Sequence, residues 1–536
     1  MDKKEEQTEY DAIVLGSGLG GTVLATILSR QGASVLIVDA GTHPRFAIGE
    51  STTTQCSLLI QSLSERYDVP ELGLLSSPAG IREQIAGTSG IKKAFGFAYH
   101  RPGMEHDPVE AIQFGLSDRY ECHLFRQDVD SYMFHVALDY GTKALQSTTV
   151  EYVKMGATGV LVGTSAGELR CRYVIDGGGA SSFIAGDLGL REEPTRLQHH
   201  SRSVFTHMIN VAPFDDCIRE SHMHVPWHEC TLQHVTPDRA WIWVIPFGNQ
   251  AGHVNRLTSV GLTLDPRLHG KPQLSPETEF RDFVGRFPSL HRQFEGATAA
   301  RPWVSTSRLQ YSTHQSIGNR YCLMSSAAGF VDPIFSKGLE NTFQRIIALV
   351  EPLLRAFAED DFASHRFSAV EEPHQTALNF NDRLANCTFS SWDDHDVWDA
   401  WVRIVALGTG LIEANLALGL EFYAHSANPA VLRGANESSI SGSPHEPSGL
   451  GKLFDESMQT LEAFQANQIA AAETTEKLWK TMARYRHLKF PFPHPAFQNL
   501  RWALTNPGSR DIHYNGPHSK RWYARIDDPH LKGIKA

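Results

Sequence analysis

Residues 10–51 read YDAIVLGSGLGGTVLATILSRQGASVLIVDAGTHPRFAIGES, and the order of elements in this stretch decides the fold. Ala12 to Leu15 form a short apolar run of the kind that makes a strand buried on both faces. Gly16, Gly18 and Gly21 follow at once in G-x-G-x-x-G spacing. The first glycine permits a tight turn, the second lets backbone approach a pyrophosphate, and the third lets the helix pack close to the strand. Thr22 to Gln31 then predict a helix whose N-terminal amides face those phosphates. Gly32 stops it, and Ser34 to Val38 predict a second strand. That strand ends in Asp39, an acid placed to hold the ribose hydroxyls of an adenine dinucleotide. A glycine-rich structural turn would account for the glycines alone, but not for strand, turn, helix, strand and acid in sequence.

The chain has 536 residues, enough for two or three lobes at about 100–200 residues each. Apolar content of 41% with 20% charged residues is an ordinary soluble balance. The net charge of -11 argues against nucleic acid or an anionic membrane as partner. Seven cysteines without a C-x-x-C pair predict free thiols in a reducing cytoplasm. The start, MDKKEEQTEY, is charged and shows no export signal, and no run of about 18 apolar residues predicts a membrane span. No internal repeat is visible.

Further along, Gly49-Glu50-Ser51-Thr52-Thr53-Thr54 leads into a helix near Cys56 to Tyr67. Glu50 and the hydroxyls either line the nucleotide site or cap this helix, and both readings stand. In residues 81–100, Phe95, Phe97 and Tyr99 alternate as in a half-buried strand. Lys92 and Lys93 then point to opposite faces, one inward and one to water. Residues 123–141 predict a helix with Asp128 as N-cap and Gly141 at its end. Strands follow near 150–155, 158–163 and 168–175, the last running into Asp176-Gly177-Gly178-Gly179. This is a second place for backbone to approach a cofactor, or an ordinary glycine turn.

Spaced strands at Val204–Val211, Thr231–Val235, Ala240–Pro246 and Ser259–Leu264 predict an antiparallel sheet inserted at about 190–310. His222, His224 and His228 lack the framework of a metal site, so no metal is predicted. In Trp241-Ile242-Trp243-Val244-Ile245-Pro246, alternation puts both indoles on one face and the isoleucines nearer the other. The indoles make a core layer or a rigid cavity wall. A short strand at Tyr321–Met324 precedes a turn and a long helix starting near Gly338, with Leu339, Phe343, Ile346, Ile347, Val350, Leu354 and Phe357 at helical spacing and Pro352 as a kink. Its N-terminus at Ser336-Lys337-Gly338 suits a small anion, or is a plain start capped by Ser336.

Beyond residue 360 the chain reads as helical, with Trp392, Trp398 and Trp401 in a stretch that can cover a substrate cavity. A flexible loop is predicted at about 434–450 and a helix at about Leu453 to Tyr485. The tail after His487 has no clear periodicity. The fold class is α/β: a Rossmann-type lobe over 10–360 with an antiparallel (α+β) insert, then a helical region over 361–536.

Together GSGLGG (16–21), GES (49–51), the lysine before F-G-F (92–97), WIWVIP (241–246) and FVDPIFSKG (330–338) resemble the flavin-dependent halogenases. This is a branch of the aromatic-hydroxylase flavoprotein superfamily, and the resemblance spans residues 10 to 425. STT (51–53), DPIFSKGLENTF, TSGIKKAFGFAYHRPGMEHDP and VWDAW (397–401) look like the pyrrole and phenol halogenases more than the tryptophan halogenases.

The resemblance implies FAD binding by Gly16, Gly18, Gly21, Asp39, Glu50, Arg126, Asp176, Gly177, Asp332 and Leu339. It implies chloride at the amides of Lys337 and Gly338, and a channel or substrate wall from Trp241, Trp243, Pro246, Phe97 and Phe335. Lys92 matches the family's catalytic lysine. The implied chemistry runs from reduced FAD, delivered by a separate flavin reductase, and O2 to a hydroperoxide that chloride attacks. The resulting hypochlorous acid crosses a channel to Lys92, which passes chlorine to an electron-rich ring, free or carrier-bound. Burial among aromatics favours the neutral amine this step needs. Tryptophan halogenases carry a glutamate where Phe335 stands, so an acid for the ring cation must come from elsewhere, or a pyrrole or phenol must do without it. A single-component aromatic hydroxylase shares the nucleotide lobe but not WIWVIP and Lys92. A non-catalytic binder on the same fold, such as the escorts of prenylated GTPases, need not keep the nucleotide elements.

Overall fold

The computed structural model describes residues 10–115, 120–221, 223, 225–438, 449–485 and 511–512. The opening stretch folds as strand β1 (Tyr10–Leu15), helix α1 (Leu19–Arg30) and strand β2 (Val35–Val38). β1 lies between β2 and the strand Gly167–Asp176, parallel to both, which is why its apolar run is buried on two faces. Register then fixes the site. Leu15 stands opposite both Val38 and Asp176, so the glycine turn, Asp39 and Gly177 emerge side by side at the carboxyl ends of three strands. That edge is where open α/β sheets bind ligands. Lys143–Leu145 extends the sheet beyond β2, and Tyr321–Leu323 adds to its other side.

Helix α2 (Thr54–Tyr67) is capped by Thr53, whose hydroxyl accepts from the Cys56 amide. Strand β3 (Gly90–Lys92) precedes strand β4 (Ala94–Tyr99), and strand β5 (Ala111–Gly115) precedes strand β6 (Glu121–His123). β3 and β6 form a separate two-stranded pair in which Lys92 faces Glu121. The second large sheet corrects the expected boundaries of the insert. Besides Arg202–Ile209, Cys230–Thr236, Ala240–Pro246 and Thr258–Leu264 it takes in β4 and β5, and Cys230–Thr236 runs parallel to β4. A parallel partner from over a hundred residues away leaves no mark in local alternation.

The two faces of Ala240–Pro246 separate as the period-2 pattern requires, with one correction. Trp241, Trp243 and Ile245 pack into the core shared with the helices, whereas Ile242 and Val244 enter the sheet's other core. Ile245 thus sides with the indoles, being two residues from Trp243. The Trp243 indole lies flat over Gly261, its strand partner, where an added Cβ would stand 2.1 Å from the ring. Gly261→Ala is expected to cost about 1–3 kcal/mol through overpacking, read as a lower melting temperature with shifted tryptophan emission; unchanged values would show that the ring moves freely.

The helical half departs from expectation in several places. The long helix runs Lys337–Glu359 through Pro352 and buries Leu339, Phe343, Ile346, Leu349, Val350 and Leu353, leaving Ile347, Leu354 and Phe357 at the edge of that face. The helix Arg126–Asp139 starts after Phe125, so Asp128 sits in its first turn instead of capping it and accepts from Thr88. The helix expected at Leu453–Tyr485 is two, Leu450–Gln465 and Ala471–Arg484, broken where Asn467 takes a φ of 56°. Part of the expected loop at 434–450 is helix, Pro429–Ser438, and residues 439–448 lie outside the described ones. So does the tail, apart from Asp511–Ile512, which pairs with β5.

One described helix, His395–Ser426, is long and apolar enough to cross a membrane, although no such run was expected. More than half of its most apolar window is buried inside the fold, which is the pattern of a core helix. All seven cysteines are buried free thiols. His228 bonds Asp215, His222 and His224 lie outside the described residues, and no metal-holding group of acids, histidines and cysteines occurs among the described residues.

Candidate active site

A cavity of about 370 Å³ opens at the carboxyl edge of the first sheet. Its floor is the glycine turn, Gly18 to Gly21, with Gly177, Arg126 and the Gly49–Ser51 loop beside it. Helix α1 begins at Gly18 without a side-chain cap and without an acid in its first turn, so its free amides and positive dipole end face the cavity unopposed. A Cβ at Gly18 would meet nothing within 4 Å, while one at Gly21 would stand 2.4 Å from the Gly16 carbonyl oxygen. The second glycine thus keeps an open cradle and the third a tight contact, the arrangement a pyrophosphate needs. These residues fit FAD.

Several residues expected at the cofactor hold the cradle through their side chains. Asp39 takes hydrogen bonds from the Ser17 amide (2.6 Å) and hydroxyl (2.8 Å), from the Gly41 amide and from both terminal nitrogens of Arg45. Burial opposes its ionisation, but Arg45 and these amides hold its carboxyl well below the usual range. Asp176 accepts from the Gly178 and Ile184 amides and from Ser182, fixing the turn that presents Gly177. Asp332 accepts from Ser201 at 2.7 Å and His199 at 3.1 Å and so anchors the 330–338 loop. Arg126 pairs with Asp130 and donates to the carbonyls of Ile48 and Gly49, which sets the loop carrying Glu50. Glu50 lines the cavity and pairs with His207 at 2.7 Å. Ser17, Arg45 and His207 were missed, because nothing in the local spacing announces partners 22, 6 and 157 residues away.

The opposite wall of the cavity is Trp241, Trp243, Ile245 and Gln233, closed by Pro333, Gly338 and Leu339. The Gln233 amide donates to the Ile334 carbonyl at 2.6 Å, tying the sheet to the 330–338 loop. Ser336 adopts φ 55° and starts the helix without a side-chain cap bond, so the Lys337 and Gly338 amides open the first turn. The Lys337 ammonium turns to Glu340 at 2.8 Å. Pro246 is not part of this wall. Its carbonyl accepts from His123, and it borders a second cavity on the sheet's other side.

Lys92 is wholly buried, whereas Lys93 is partly exposed and pairs with Glu229. The Lys92 nitrogen stands 3.9 Å from the Phe95 ring centroid and donates to the Ser51 hydroxyl (3.0 Å) and the Thr52 carbonyl (2.7 Å). Ser51 and Thr231 both line the cavity and bond each other at 2.6 Å, so one hydroxyl pair separates the cavity from the amine. Near the amine Phe97 meets Phe95, Phe114, Phe335 and Trp398 at centroid distances of 5.3 to 6.4 Å. Phe97 and Phe335 therefore belong to this aromatic cluster, and neither borders the 370 Å³ cavity.

Burial pushes the Lys92 ammonium down to about 7 against the pull of Glu121 and Glu413. Glu413, on His395–Ser426, has part of its surface in solvent but its carboxyl inside the fold. Burial and the nearby Glu121 and Glu340 push it up to about 8. An acid alone in an apolar helical stretch was the signal that could have found it.

The fold and this site define an FAD enzyme, and comparison with known proteins narrows the class. The FAD binding domain family matches residues 9–259. Monodechloroaminopyrrolnitrin halogenase PrnC of Pseudomonas fluorescens is 40% identical over 89% of this chain and 85% of its own length. Tetracycline 7-halogenase of Kitasatospora aureofaciens is 41% identical over 93% of this chain and 90% of its own. The crystal structure of halogenase PltM in complex with phloroglucinol and FAD superposes with a TM-score of 0.88 at 30% identity, over 94% of this chain and all of that one.

The chain belongs to the flavin-dependent halogenases. It is an enzyme that uses reduced FAD, O2 and chloride to chlorinate an electron-rich aromatic ring, and a separate flavin reductase is typical of its family.

Proposed function

We propose that the ring chlorinated is a pyrrole or phenol of a natural-product precursor, that Lys92 delivers the chlorine, and that a separate flavin reductase supplies the reduced cofactor. The observation that carries this is the wholly buried Lys92 amine, seated over Phe95 among phenylalanines and one hydroxyl pair away from the cofactor cavity. When bound, reduced FAD supplies the two electrons by which O2 and chloride become hypochlorous acid.

Everything else falls to the chain. Gly16, Gly18, Gly21 and Gly177 shape the pyrophosphate cradle, Arg126 and Glu50 hold its rim, and the Lys337 and Gly338 amides take chloride. Trp241 and Trp243 exclude water and keep the organic ring away from the flavin. The neutral Lys92 amine attacks chlorine: an N–Cl bond forms, Cl–O breaks, and hydroxide leaves as water with the amine's proton. The ring then takes chlorine from nitrogen and returns its own proton, restoring the amine.

Relatives support the substrate class. PrnC and the tetracycline halogenase are named for a phenylpyrrole and a phenolic polyketide, and PltM was crystallised with a phenol. A pyrrole chlorinase acting on a peptidyl-carrier protein is only 24% identical, over 68% of this chain, which favours a free substrate. Phe335, standing where tryptophan halogenases carry an acid, favours a ring that is activated by its own heteroatom. The test is turnover with FAD, a reductase and chloride across pyrroles, phenols and tryptophan. Faster chlorination of free tryptophan than of either other class would overturn the proposal.

A further inference from the structure

Behind Lys92 runs a chain of hydrogen bonds whose direction the structure determines. The Lys92 nitrogen donates to the Ser51 hydroxyl at 3.0 Å, Ser51 bonds Thr231 at 2.6 Å, and Thr231 bonds His123 Nε2 at 2.9 Å. His123 Nδ1 then meets the Pro246 carbonyl at 2.8 Å. That carbonyl can only accept, so Nδ1 carries the ring proton. His123 is wholly buried, and burial pushes its pKa down to about 3, so the ring is neutral and Nε2 is an acceptor. The Thr231 proton must therefore go to His123, and the Ser51 proton to Thr231. Ser51 is left with lone pairs alone for Lys92.

The consequence lies in the amine. A neutral lysine has two N–H bonds and one lone pair, and here the Ser51 hydroxyl and Thr52 carbonyl take the two N–H bonds. A serine free to rotate would turn its O–H onto that lone pair and mask the nucleophile. We propose that His123 is a positioning residue for halogenation. Through Thr231 it commits the Ser51 proton away from Lys92, and so keeps the nitrogen's lone pair open to electrophilic chlorine. The inference rests on the reading of Lys92 as the chlorine carrier. It assigns roles to three residues that the glycine turn, the indole wall and the chloride loop do not involve. Besides His123, the charged and titratable groups around the amine are Glu121 and Cys122 from β6, Glu413 from His395–Ser426, and Cys56 and Cys230 from α2 and Cys230–Thr236. None of them makes the Ser51–Thr231–His123 links.

The test uses Thr231→Val, which keeps the shape and breaks the chain, Thr231→Ser, which restores the hydroxyl, and His123→Leu. Chlorination should fall at least tenfold in Thr231→Val and His123→Leu, while reoxidation of reduced flavin by His123→Leu, whose side chain does not border the cavity, stays within twofold of wild type. Thr231→Ser should return to within about threefold of wild type. The double variant should be no worse than either single one, because both break one chain. In the flavin-free protein, the Lys92 titration followed by the 13Cε shift should move to lower pH in Thr231→Val, since a Ser51 proton on nitrogen favours the neutral amine.

Wild-type chlorination and titration in both broken-chain variants would overturn the inference, as would losses that multiply in the double variant. Unfolding of His123→Leu leaves the decision to the two Thr231 variants. If Lys92→Ala chlorinates normally, the underlying reading of Lys92 fails. If only the Thr231 and His123 variants behave as wild type, that reading survives and this inference fails.

Discussion

Lys92→Ala is expected to reoxidise reduced flavin at a rate near wild type while losing chlorinated product by at least about a thousandfold, or ~4 kcal/mol of barrier. The split follows from position. The amine lies outside the cofactor cavity, behind Ser51 and Thr231, so its removal leaves the glycine cradle and the Lys337–Gly338 turn intact. Hypochlorous acid released to solvent should replace chlorinated product in the balance.

In wild type, chlorination should climb as pH rises through about 7, where burial leaves the Lys92 ammonium ready to lose its proton, with no matching limb in flavin reoxidation. The midpoint belongs to Lys92 and Glu413 jointly, because each charge senses the other. Product formation by Lys92→Ala at the wild-type rate would remove the amine from the mechanism.

Gly21→Ala is expected to weaken FAD binding by about a hundredfold, ~2.8 kcal/mol. A Cβ there would stand 2.4 Å from the Gly16 carbonyl oxygen and 3.2 Å from Val14, and backbone cannot yield as a flexible side chain would. Relief requires either Gly16, held at φ 97°, or the start of α1 to move, and both belong to the cradle. Flavin fluorescence titration of the variant, with its melting temperature as control, measures the effect. An unchanged dissociation constant would show that the third glycine serves folding alone.

Local features of the sequence were legible because their physics is local. The glycine turn, its flanking strands and the opposite facing of Lys92 and Lys93 follow from spacing within a few residues, and the structure has them so. The dual reading of the 49–54 stretch resolves into both alternatives, with Glu50 and Ser51 at the cavity and Thr53 as helix cap. Long-range register was not legible. Ser51 meets Thr231 across 180 residues only because Cys230–Thr236 lies parallel to β4, and alternation says which face a residue takes but not beside which strand. The same limit hid the partners of Asp39 and Asp332 and placed Pro246 with the indoles instead of with His123. The break at Asn467 carries no glycine or proline to announce it.

The indole resting on Gly261 has a consequence for how this enzyme's substrate range can change. A larger residue at 261 is blocked while Trp243 stays, yet is admitted once a smaller side chain stands at 243. The two positions form an ordered pair. Evolutionary or laboratory paths that reshape the cavity on this side must trim the tryptophan before they fill the glycine, and the reverse order passes through a destabilised intermediate.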